Sequence, residues 1–469
     1  MKNIVIIGGG AAGLSAAVTA AQGSASVTVL EKRKYLCGNG RYAEGVFAAG
    51  SRLQKRSNID ADPAVLFRQA MEYAHWRSDA RLTAALIGHS GETVDWLCEL
   101  GVPFSRILHH MPNQSPAVFH MAYPAPTGLQ VTRVLQETAE KLGVTAYTEA
   151  DVKALVSAPD GSICGVTAVI GGSEKTFSAD AVLICTGGFA GNHELMREMI
   201  PGCDPEAFMH LKGIPMQGDG LQLARAAGAD IVCDIAIEGC GPVYGGRGEI
   251  VGLIRRADCL WVNALGERFC DESIAADFVF GQNAVARQPG RMCWAVMDSD
   301  YIRRVKNDVP NMMADPASDD NGMAQLDAAL EQEIGKGGIL RADSIEDLAR
   351  MMGVPADTLC AEIAAYNDAC EHGCDPLFFK ERRMLRPVVN GPFYAVRAGL
   401  DMITTHGGIR TDSRMRVLDA DRAPIGNLYA AGIDISGVDS ADYSVTLSGH
   451  AFGFALTGGR LAASEMLKG

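Results

Sequence analysis

The first thirty residues contain two short apolar runs separated by a helical pattern. Residues 4–7 form a continuous apolar run, as a buried strand does, and residues 27–30 form a second one that ends on Glu31. The Ala-rich residues 11–22 between them carry helical spacing. The pattern therefore predicts a strand–helix–strand unit at the amino-terminal end.

The pattern continues along the chain as an alternation of helices and strands, with one long proline-rich stretch. Residues 103–127 contain five prolines and predict a loop, with its histidines, His109, His110 and His120, exposed. Turn residues separate the strands predicted between 144 and 188, which suggests a β-meander. Short strands are predicted over 231–345, and helices at 63–74, 79–100, 127–142, 220–227, 343–372 and 448–466.

Composition and charge narrow the class of protein. The chain has 469 residues, 48% of them hydrophobic and 21% charged, which is typical of a globular protein with two or three domains. The net charge is −14 and no basic block is present, so nucleic acid is not an expected partner. No apolar stretch reaches the ~18–20 residues of a membrane span, and we expect a cytoplasmic location.

The thirteen cysteines favour buried, reduced thiols. Their number is odd and most lie within apolar runs, as Cys164, Cys185 and Cys293 do. No CxxC pair or haem-attachment motif occurs. We expect no metal, cluster or haem.

The glycine loop between the first strand and the first helix predicts a dinucleotide site. Gly8 allows the tight turn, Gly10 lets a pyrophosphate approach the backbone, and Gly13 lets the helix pack closely on the strand. The helix N-terminus offers unpaired N–H groups to phosphate, and Glu31 stands where a carboxylate can accept hydrogen bonds from ribose hydroxyls.

Four later motifs complete an ordered set with this loop. They are the turn Thr186-Gly187-Gly188, the turn Gly218-Asp219-Gly220, the strand of residues 425–434 and the glycine that precedes the last helix. This set resembles the fumarate reductase/succinate dehydrogenase flavoprotein superfamily, which includes soluble fumarate reductases, urocanate reductase and 3-ketosteroid dehydrogenases. The resemblance extends over essentially the whole chain, including the VNALGERFCDE segment that begins at Val262.

The resemblance implies an α/β fold: a Rossmann-like two-dinucleotide-type FAD domain with a β-meander and an inserted α+β capping domain. We expect the FAD domain at 1–231 and 386–469 and the cap at 232–385. The resemblance also implies FAD as cofactor, held non-covalently because residues 41–47 lack the histidine that respiratory relatives use. The implied FAD-binding residues are Gly8, Gly10, Ala11, Ala12, Gly13, Glu31, Lys32, Gly38, Asn39, Val152, Thr186, Gly187, Asp219, Gly432, Ile433, His450 and Ala451.

The departures from the family bear on the substrate. The position of the proton-donating Arg of fumarate reductases falls on Ala276, and the family HTxGG motif becomes residues 404–408, with Thr404 in place of the His. The late HGxNR motif becomes residues 439–443, which places Tyr443 at the catalytic Arg; an alternative alignment places Thr446 there. These changes argue against fumarate and suit a less charged substrate.

Three side chains are the catalytic candidates. Tyr443 is the first as proton donor or acceptor, with a packed core tyrosine as the alternative. Tyr123, in the proline-rich stretch, is a second candidate, and His406, in the glycine turn, is a third whose alternative is a structural role.

The expected activity is therefore that of an FAD-dependent ene-reductase, which reduces a C=C bond next to a carbonyl (an enone or enoate) by hydride transfer from flavin N5. Alternatives are a dehydrogenase that forms the C=C bond, an amine or hydroxy-acid oxidase, and a flavin-binding protein without catalysis. No second dinucleotide motif is visible. We expect a separate electron donor or acceptor: a protein, a quinone, a free flavin or a nicotinamide.

Overall fold

In the computed structural model, apolar strands and small-residue helices occur largely where the sequence pattern places them. The structure describes residues 1–109, 116–245, 248–307 and 326–468. The α-helices, α1 to α14 in chain order, are Ala11–Gln22, Arg52–Arg56, Pro63–Tyr73, Ala80–Glu99, Thr127–Lys141, His193–Met199, Asp219–Ala226, Gly248–Ile254, Phe278–Ala286, Ser299–Asn307, Leu326–Gly335, Ile345–Met352, Ala356–His372 and His450–Lys468.

The strands are numbered β1 to β19 in chain order. They are Asn3–Ile7, Ser26–Leu30, Val46–Phe47, Phe104–Leu108, Phe119–Ala122, Thr145–Tyr147, Ala150–Ser157, Ile163–Ile170, Ser173–Ser178, Ala181–Ile184, Phe208–Leu211, Ala236–Glu238, Leu260–Val262, Met292–Asp298, Ile339–Ala342, Phe393–Met402, Thr404–His406, Arg416–Leu418 and Pro424–Ala430.

The chain divides into two compact units. The first comprises residues 1–203, 213–238 and 404–469, and the second comprises residues 204–212 and 239–403. The second unit thus extends beyond the expected cap boundary at residue 385. The reason is β16, which pairs with β11, β14 and β15 and so adds residues 393–402 to the sheet of the second unit.

The first unit is built around a six-stranded sheet with the order β18-β19-β10-β1-β2-β6. Its strands run parallel except β18, which is antiparallel to β19. β1 is central, and the carboxyl ends of β1, β10 and β19 lie side by side because their registers match. The glycine loop, the Thr186 turn and the Gly432 turn leave the sheet from these three ends, and the predicted FAD motifs therefore converge at one edge.

Close packing of helices α1 and α14 explains their small residues. A Cβ atom added at Gly459 of α14 would lie 2.2 Å from the backbone oxygen of Ala12 of α1. Only glycine permits this approach, because any side chain at residue 459 would push the two helices apart. The predicted meander is also present, as the three antiparallel strands β7-β8-β9.

Two regions differ from the sequence prediction. Residues 103–127 were predicted to be a loop but contain β4 and β5, which form a sheet with β3, because the apolar side chains of residues 117–122 are buried. Residues 231–345, predicted as short strands, also contain helices α8 to α11. Their apolar residues form a core with β13 and β14 of the second unit, in which Trp261 is fully buried.

A network of ion pairs is buried inside the second unit. Lys380 Nζ lies 2.8 Å from Glu272, and Arg268 pairs with Glu272 at 3.2 Å and with Asp375 at 3.1 Å. The guanidinium group of Arg268 also stacks on the ring of Tyr366, 4.7 Å from its centroid. Arg268 and Glu272 of the VNALGERFCDE segment therefore have a structural role in the described fold.

Candidate functional site

The glycine loop combines two crowded positions with one open position. A Cβ atom at Gly8 would lie 2.3 Å from Cys185 O, and one at Gly13 would lie 2.0 Å from Gly8 O. At Gly10, which precedes α1, an added Cβ atom would meet nothing within 4 Å. The loop thus presents bare backbone and a helix N-terminus to open space, an arrangement that suits a pyrophosphate group.

Glu31 closes this loop from the end of β2. Its carboxylate accepts hydrogen bonds from the backbone N–H groups of Gly9, at 2.8 Å, and Arg33, at 2.9 Å. Each carboxylate oxygen keeps a further lone pair, so Glu31 can also accept a ribose hydroxyl. That ribose contact remains a prediction.

Protein groups already engage three of the other predicted FAD contacts. Lys32 bonds to the carboxylate of Asp219 at 3.0 Å, so these two candidates meet each other. The side-chain oxygen of Asn39 accepts from the backbone N–H of Ile214 at 2.6 Å. Val152 lies in β7 opposite Ala168. Lys32 and Asn39 therefore fix the loops around the candidate site, and their contacts with FAD remain predictions.

Asp434 is a further component of the site, to which the sequence analysis assigned no role. Its buried carboxylate accepts from the backbone N–H groups of Thr186, Gly187 and Gly188 at 2.5, 2.9 and 2.8 Å. Burial nevertheless raises the pKa of Asp434, since the loss of solvent outweighs these bonds. Through its three backbone hydrogen bonds, Asp434 holds the turn after β10 against the turn after β19.

Gly432 and Gly38 bring two more segments to the glycine loop. An added Cβ atom at Gly432 would lie 3.3 Å from the Cβ atom of Ala12, and one at Gly38 would lie 3.2 Å from the Cα atom of Gly10. Ile433 follows in the same turn and accepts a hydrogen bond from the N–H of Gly407 at 2.9 Å. The structure therefore brings the predicted pyrophosphate and ribityl segments together.

A row of four ionisable side chains, here named the charge cluster, lies beyond this turn. It consists of Glu238 of β12, His406 of β17, Asp439 and His450, the first residue of α14. His406 Nε2 lies 3.0 Å from Glu238, and His406 Nδ1 lies 3.0 Å from Asp439. His450 Nε2 lies 3.0 Å from both oxygens of Asp439.

Opposite charges stabilise each other within the charge cluster. Burial alone would lower the pKa of His406, but its hydrogen bonds to Asp439 and Glu238 outweigh burial and raise that pKa to about 9. Burial alone would raise the pKa of Asp439, but the charge of His450 and the hydrogen bond from His406 hold it well below its usual range. Asp439 is therefore ionised and His406 protonated at neutral pH.

Tyr443 packs against both histidines. Its ring stacks on that of His450, with centroids 4.4 Å apart and planes 25° apart, and it meets His406 edge-on at 5.2 Å. The ring of His450 also meets that of Phe454, with centroids 5.4 Å apart. The structure thus brings together two of the three catalytic candidates, Tyr443 and His406, and adds Glu238 and Asp439, whose proximity to them no local sequence motif indicates.

The remaining candidates occupy other surroundings. The ring of Tyr123 lies under Arg106, 5.4 Å from its guanidinium carbon. His120 was predicted to be exposed but is fully buried; it bonds to Ser51 at 2.8 Å, and burial lowers its pKa to about 4. His110 lies outside the described residues. Ala276 ends a short 3₁₀ turn in the second unit.

Comparison with known proteins identifies this arrangement. The sequence matches the FAD binding domain family over residues 3–444. The chain belongs to this family. It is a flavin-dependent oxidoreductase, and FAD is its cofactor. The open backbone at Gly10 and the converging turns at Gly38 and Gly432 fit that cofactor. The non-covalent attachment and the individual FAD contacts remain predictions.

Two curated relatives match nearly all of this flavoprotein. The chain is 31% identical to vinyl phenol reductase of Lactiplantibacillus plantarum, over 98% of this chain and 94% of that protein. It is 27% identical to fumarate reductase (cytochrome) of Shewanella frigidimarina, over 99% of this chain and 77% of that protein. The predicted membership of the fumarate reductase superfamily is thereby confirmed.

Solved structures support the same fold. The 3-ketosteroid Δ1-dehydrogenase of Sterolibacterium denitrificans superposes with a TM-score of 0.79 at 19% identity, over 100% of both chains. A flavocytochrome c3 fumarate reductase superposes with a TM-score of 0.76 at 21% identity, over 100% of this chain and 78% of that chain. These similarities confirm the predicted α/β flavoprotein fold. Among the described residues, no helix has the length and apolar character that crossing a bilayer requires.

Proposed function

We propose that this flavoprotein reduces a carbon–carbon double bond that is conjugated with an electron-withdrawing group, in the first place a carbonyl. The observation that carries the proposal is Tyr443, a buried phenol stacked on His450 and edge-on to His406. A buried phenol held by two rings is a suitable proton donor, because its orientation is fixed before the substrate arrives.

The proposed roles of the residues follow from this arrangement. When bound, reduced FAD supplies a hydride for one carbon of the double bond. Tyr443 donates its phenolic proton to the other carbon, so that one hydride and one proton saturate the bond. The backbone of the Gly8–Gly13 loop binds the pyrophosphate, and the N-terminus of α14 at His450 and Ala451 stabilises negative charge.

The relatives favour reduction over dehydrogenation. Vinyl phenol reductase and fumarate reductase are both named for the reduction of C=C bonds. A 4-vinylphenol extends the expected substrate class with the opposite polarity, because its para hydroxyl group donates electrons. A proton added to its terminal carbon gives a quinone-methide-like cation stabilised by the para oxygen, and the hydride then adds to the benzylic carbon. We therefore include vinylphenols among the substrates to be tested.

The test uses photoreduced holoenzyme under anaerobic conditions. An enone, an enoate, 4-vinylphenol and fumarate are added separately, and the return of the oxidised-flavin absorbance is followed. We expect reoxidation by at least one conjugated alkene and a saturated product. If a saturated ketone bleaches the oxidised flavin instead, the enzyme is a dehydrogenase, and if an amine or hydroxy acid does so, it is an oxidase. No response to any compound would indicate a flavoprotein without catalysis.

The role of Tyr443 is tested by replacement. Tyr443→Phe should retain FAD and lose roughly 10²–10⁴-fold in turnover, the usual contribution of a general acid. Tyr147→Phe is the matched control, since Tyr147 of β6 contacts Phe177 of β9 and has no proposed catalytic role. Unchanged turnover of Tyr443→Phe would remove this residue from the mechanism.

We further propose that electrons arrive from a separate donor. One dinucleotide motif is visible in the sequence, and FAD is expected to fill it. Reduction of the holoenzyme by NADH, reduced free flavin, a quinol and a reduced cytochrome would be compared, and the fastest reductant would define the class of donor.

A further inference from the structure

The charge cluster forms a closed system of two acids and two imidazole rings. His406 lies between Glu238 and Asp439, and Asp439 lies between His406 and His450. The side chains of His406, Asp439 and His450 are more than nine-tenths buried, and that of Glu238 is 17% exposed. Solvent therefore does little to screen these charges from one another.

Every ring nitrogen in the cluster faces an oxygen acceptor. His406 has a carboxylate at each nitrogen, whereas His450 has Asp439 at Nε2 and the backbone oxygen of Leu447 at Nδ1, 3.1 Å away. Carboxylates and carbonyls only accept hydrogen bonds, so the two rings face Asp439 from either side as its hydrogen-bond donors.

Three neutral hydroxyl side chains, of Thr404, Thr405 and Ser440, are adjacent to members of the charge cluster along the chain. Thr404 lies on the same face of β17 as His406, because alternate residues of a strand share a face. Thr405 points to the other face, where its hydroxyl group accepts from the N–H of Phe189 at 2.9 Å. The hydroxyl groups of Thr404 and Ser440 are buried and have no hydrogen-bond partner among the residues that the structure describes. These hydroxyl groups and the Tyr443 ring can contact a ligand without an ionic bond.

We propose that Asp439 is an internal carboxylate that determines substrate specificity: it occupies the His406–His450 pair, so that this side of the site accepts neutral phenols or ketones and discriminates against carboxylates. The inference rests on the proposed function, because it assumes that substrate meets Tyr443. A substrate carboxylate would have to displace Asp439 from its hydrogen bonds with the two imidazole rings. The buried Asp439 carboxylate would then keep only the backbone N–H of Ser444, at 3.2 Å, and would lack a counter-charge. A neutral substrate leaves the cluster intact.

The experiment compares two saturated ligands that differ by one carboxylate, 4-ethylphenol and 3-(4-hydroxyphenyl)propanoate. Each is titrated into oxidised holoenzyme, and the perturbation of the flavin spectrum gives its Kd. The native protein should prefer the neutral ligand by roughly tenfold or more. Asp439→Ala, which frees the imidazole pair, should shift the ratio of the two Kd values by roughly tenfold or more toward the carboxylate ligand.

Two variants serve as checks on this result. Asp442→Asn removes a half-buried acid that precedes Tyr443 and is not a member of the charge cluster, and it should leave the ratio of Kd values unchanged. Asp439→Asn preserves the shape of the side chain and keeps one acceptor oxygen, so it should shift the ratio in the same direction by less. It also provides the measurement if Asp439→Ala fails to fold.

Three outcomes would overturn the inference. They are equal binding of the two ligands by the native protein, an unchanged ratio in both Asp439 variants, and stoichiometric divalent metal in protein purified without chelator. In the last case the ring nitrogens would be metal ligands rather than proton carriers. The proposed function fails separately, since it requires reoxidation by an alkene, whereas the binding preference is measured without turnover.

Discussion

At the scale of single residues, two glycines of the first loop lack a side chain for different reasons. Gly13 is enclosed, with the oxygen of Gly8 2.0 Å from the position of an added Cβ atom, whereas Gly10 faces open space. Gly13 is required by the fold of the loop, whereas Gly10 is required only by the ligand that is expected to bind in front of it.

This difference predicts opposite patterns for two alanine substitutions. Gly13→Ala should lower both Tm and the FAD content, because the backbone must shift. Gly10→Ala should leave the Tm of FAD-depleted protein unchanged and reduce FAD retention after gel filtration. Gly88→Ala, in open space within α4, is the control and should leave FAD content unchanged. Full FAD retention in Gly10→Ala would contradict the pyrophosphate assignment.

His406 gives a prediction for pH. Its pKa is raised from 6.5 to about 9 in the folded protein, so its contribution to stability is complete below pH 6.5 and is lost as the pH rises through about 9. The loss is on the order of 3 kcal/mol for a shift of this size. Urea unfolding at several pH values should show a decline in the native protein that is weaker in His406→Gln. Parallel pH profiles of the two proteins would show that His406 does not contribute this pH-dependent stability.

At the scale of elements, hydrophobic periodicity predicted those elements whose burial follows their own sequence. The predicted helix over 11–22 matches α1, and the strands predicted between 144 and 188 include β8, since each has a regular apolar pattern between clear turn residues. β4 and β5 were missed because prolines and histidines flank them and because β5 pairs with β3, more than 50 positions earlier in the chain, while β4 pairs with β5. Local patterns contain no information about such pairing.

The candidate site shows the same limit. The glycine loop, the Thr186 turn and Tyr443 were proposed from sequence motifs. By contrast, Glu238 and Asp439 gained a role only when the pairing of β12 with β17 placed Glu238 beside His406, 168 residues further along the chain. Burial of these acids is intelligible only with their partners, and no periodicity reveals the partners.

The buried ion-pair network of the second unit, formed by Lys380, Glu272, Arg268 and Asp375, predicts a large effect of one substitution. Lys380→Met removes a buried ammonium group 2.8 Å from the fully buried Glu272. The free energy of unfolding should fall by about 3 kcal/mol, because breaking a buried pair leaves charge uncompensated. Arg350→Met, which breaks a surface pair with Asp347, should cost less than about 1 kcal/mol. Equal effects of the two substitutions in urea unfolding would refute this role.

At the scale of the whole molecule, only the first unit is expected to contact FAD. The predicted FAD contacts all belong to the first unit, although they come from residues between Gly8 and Ala451. We therefore predict that the first unit binds the cofactor, and this prediction does not depend on any single contact.

Hydrogen exchange tests this assignment. Holoprotein should exchange more slowly than FAD-depleted protein at residues 8–13, 186–188 and 431–434, because a ligand that binds the native state suppresses its opening. The change should be smaller in α12 and α13 of the second unit. Greater protection of those two helices than of the glycine loop would reverse the assignment.

The bond network of Asp434 has a consequence for how the protein is made. The Gly8–Gly13 loop leaves the ribosome about 420 residues before Gly432 and Asp434, a delay of roughly 20–80 s at ordinary rates of synthesis. Until then the turn at residues 186–188 lacks the carboxylate that holds it, and β10 lacks β19 on one side. The nascent chain is thus left with an unpaired strand edge. We therefore expect the FAD site to form only after Gly432 and Asp434 have left the ribosome.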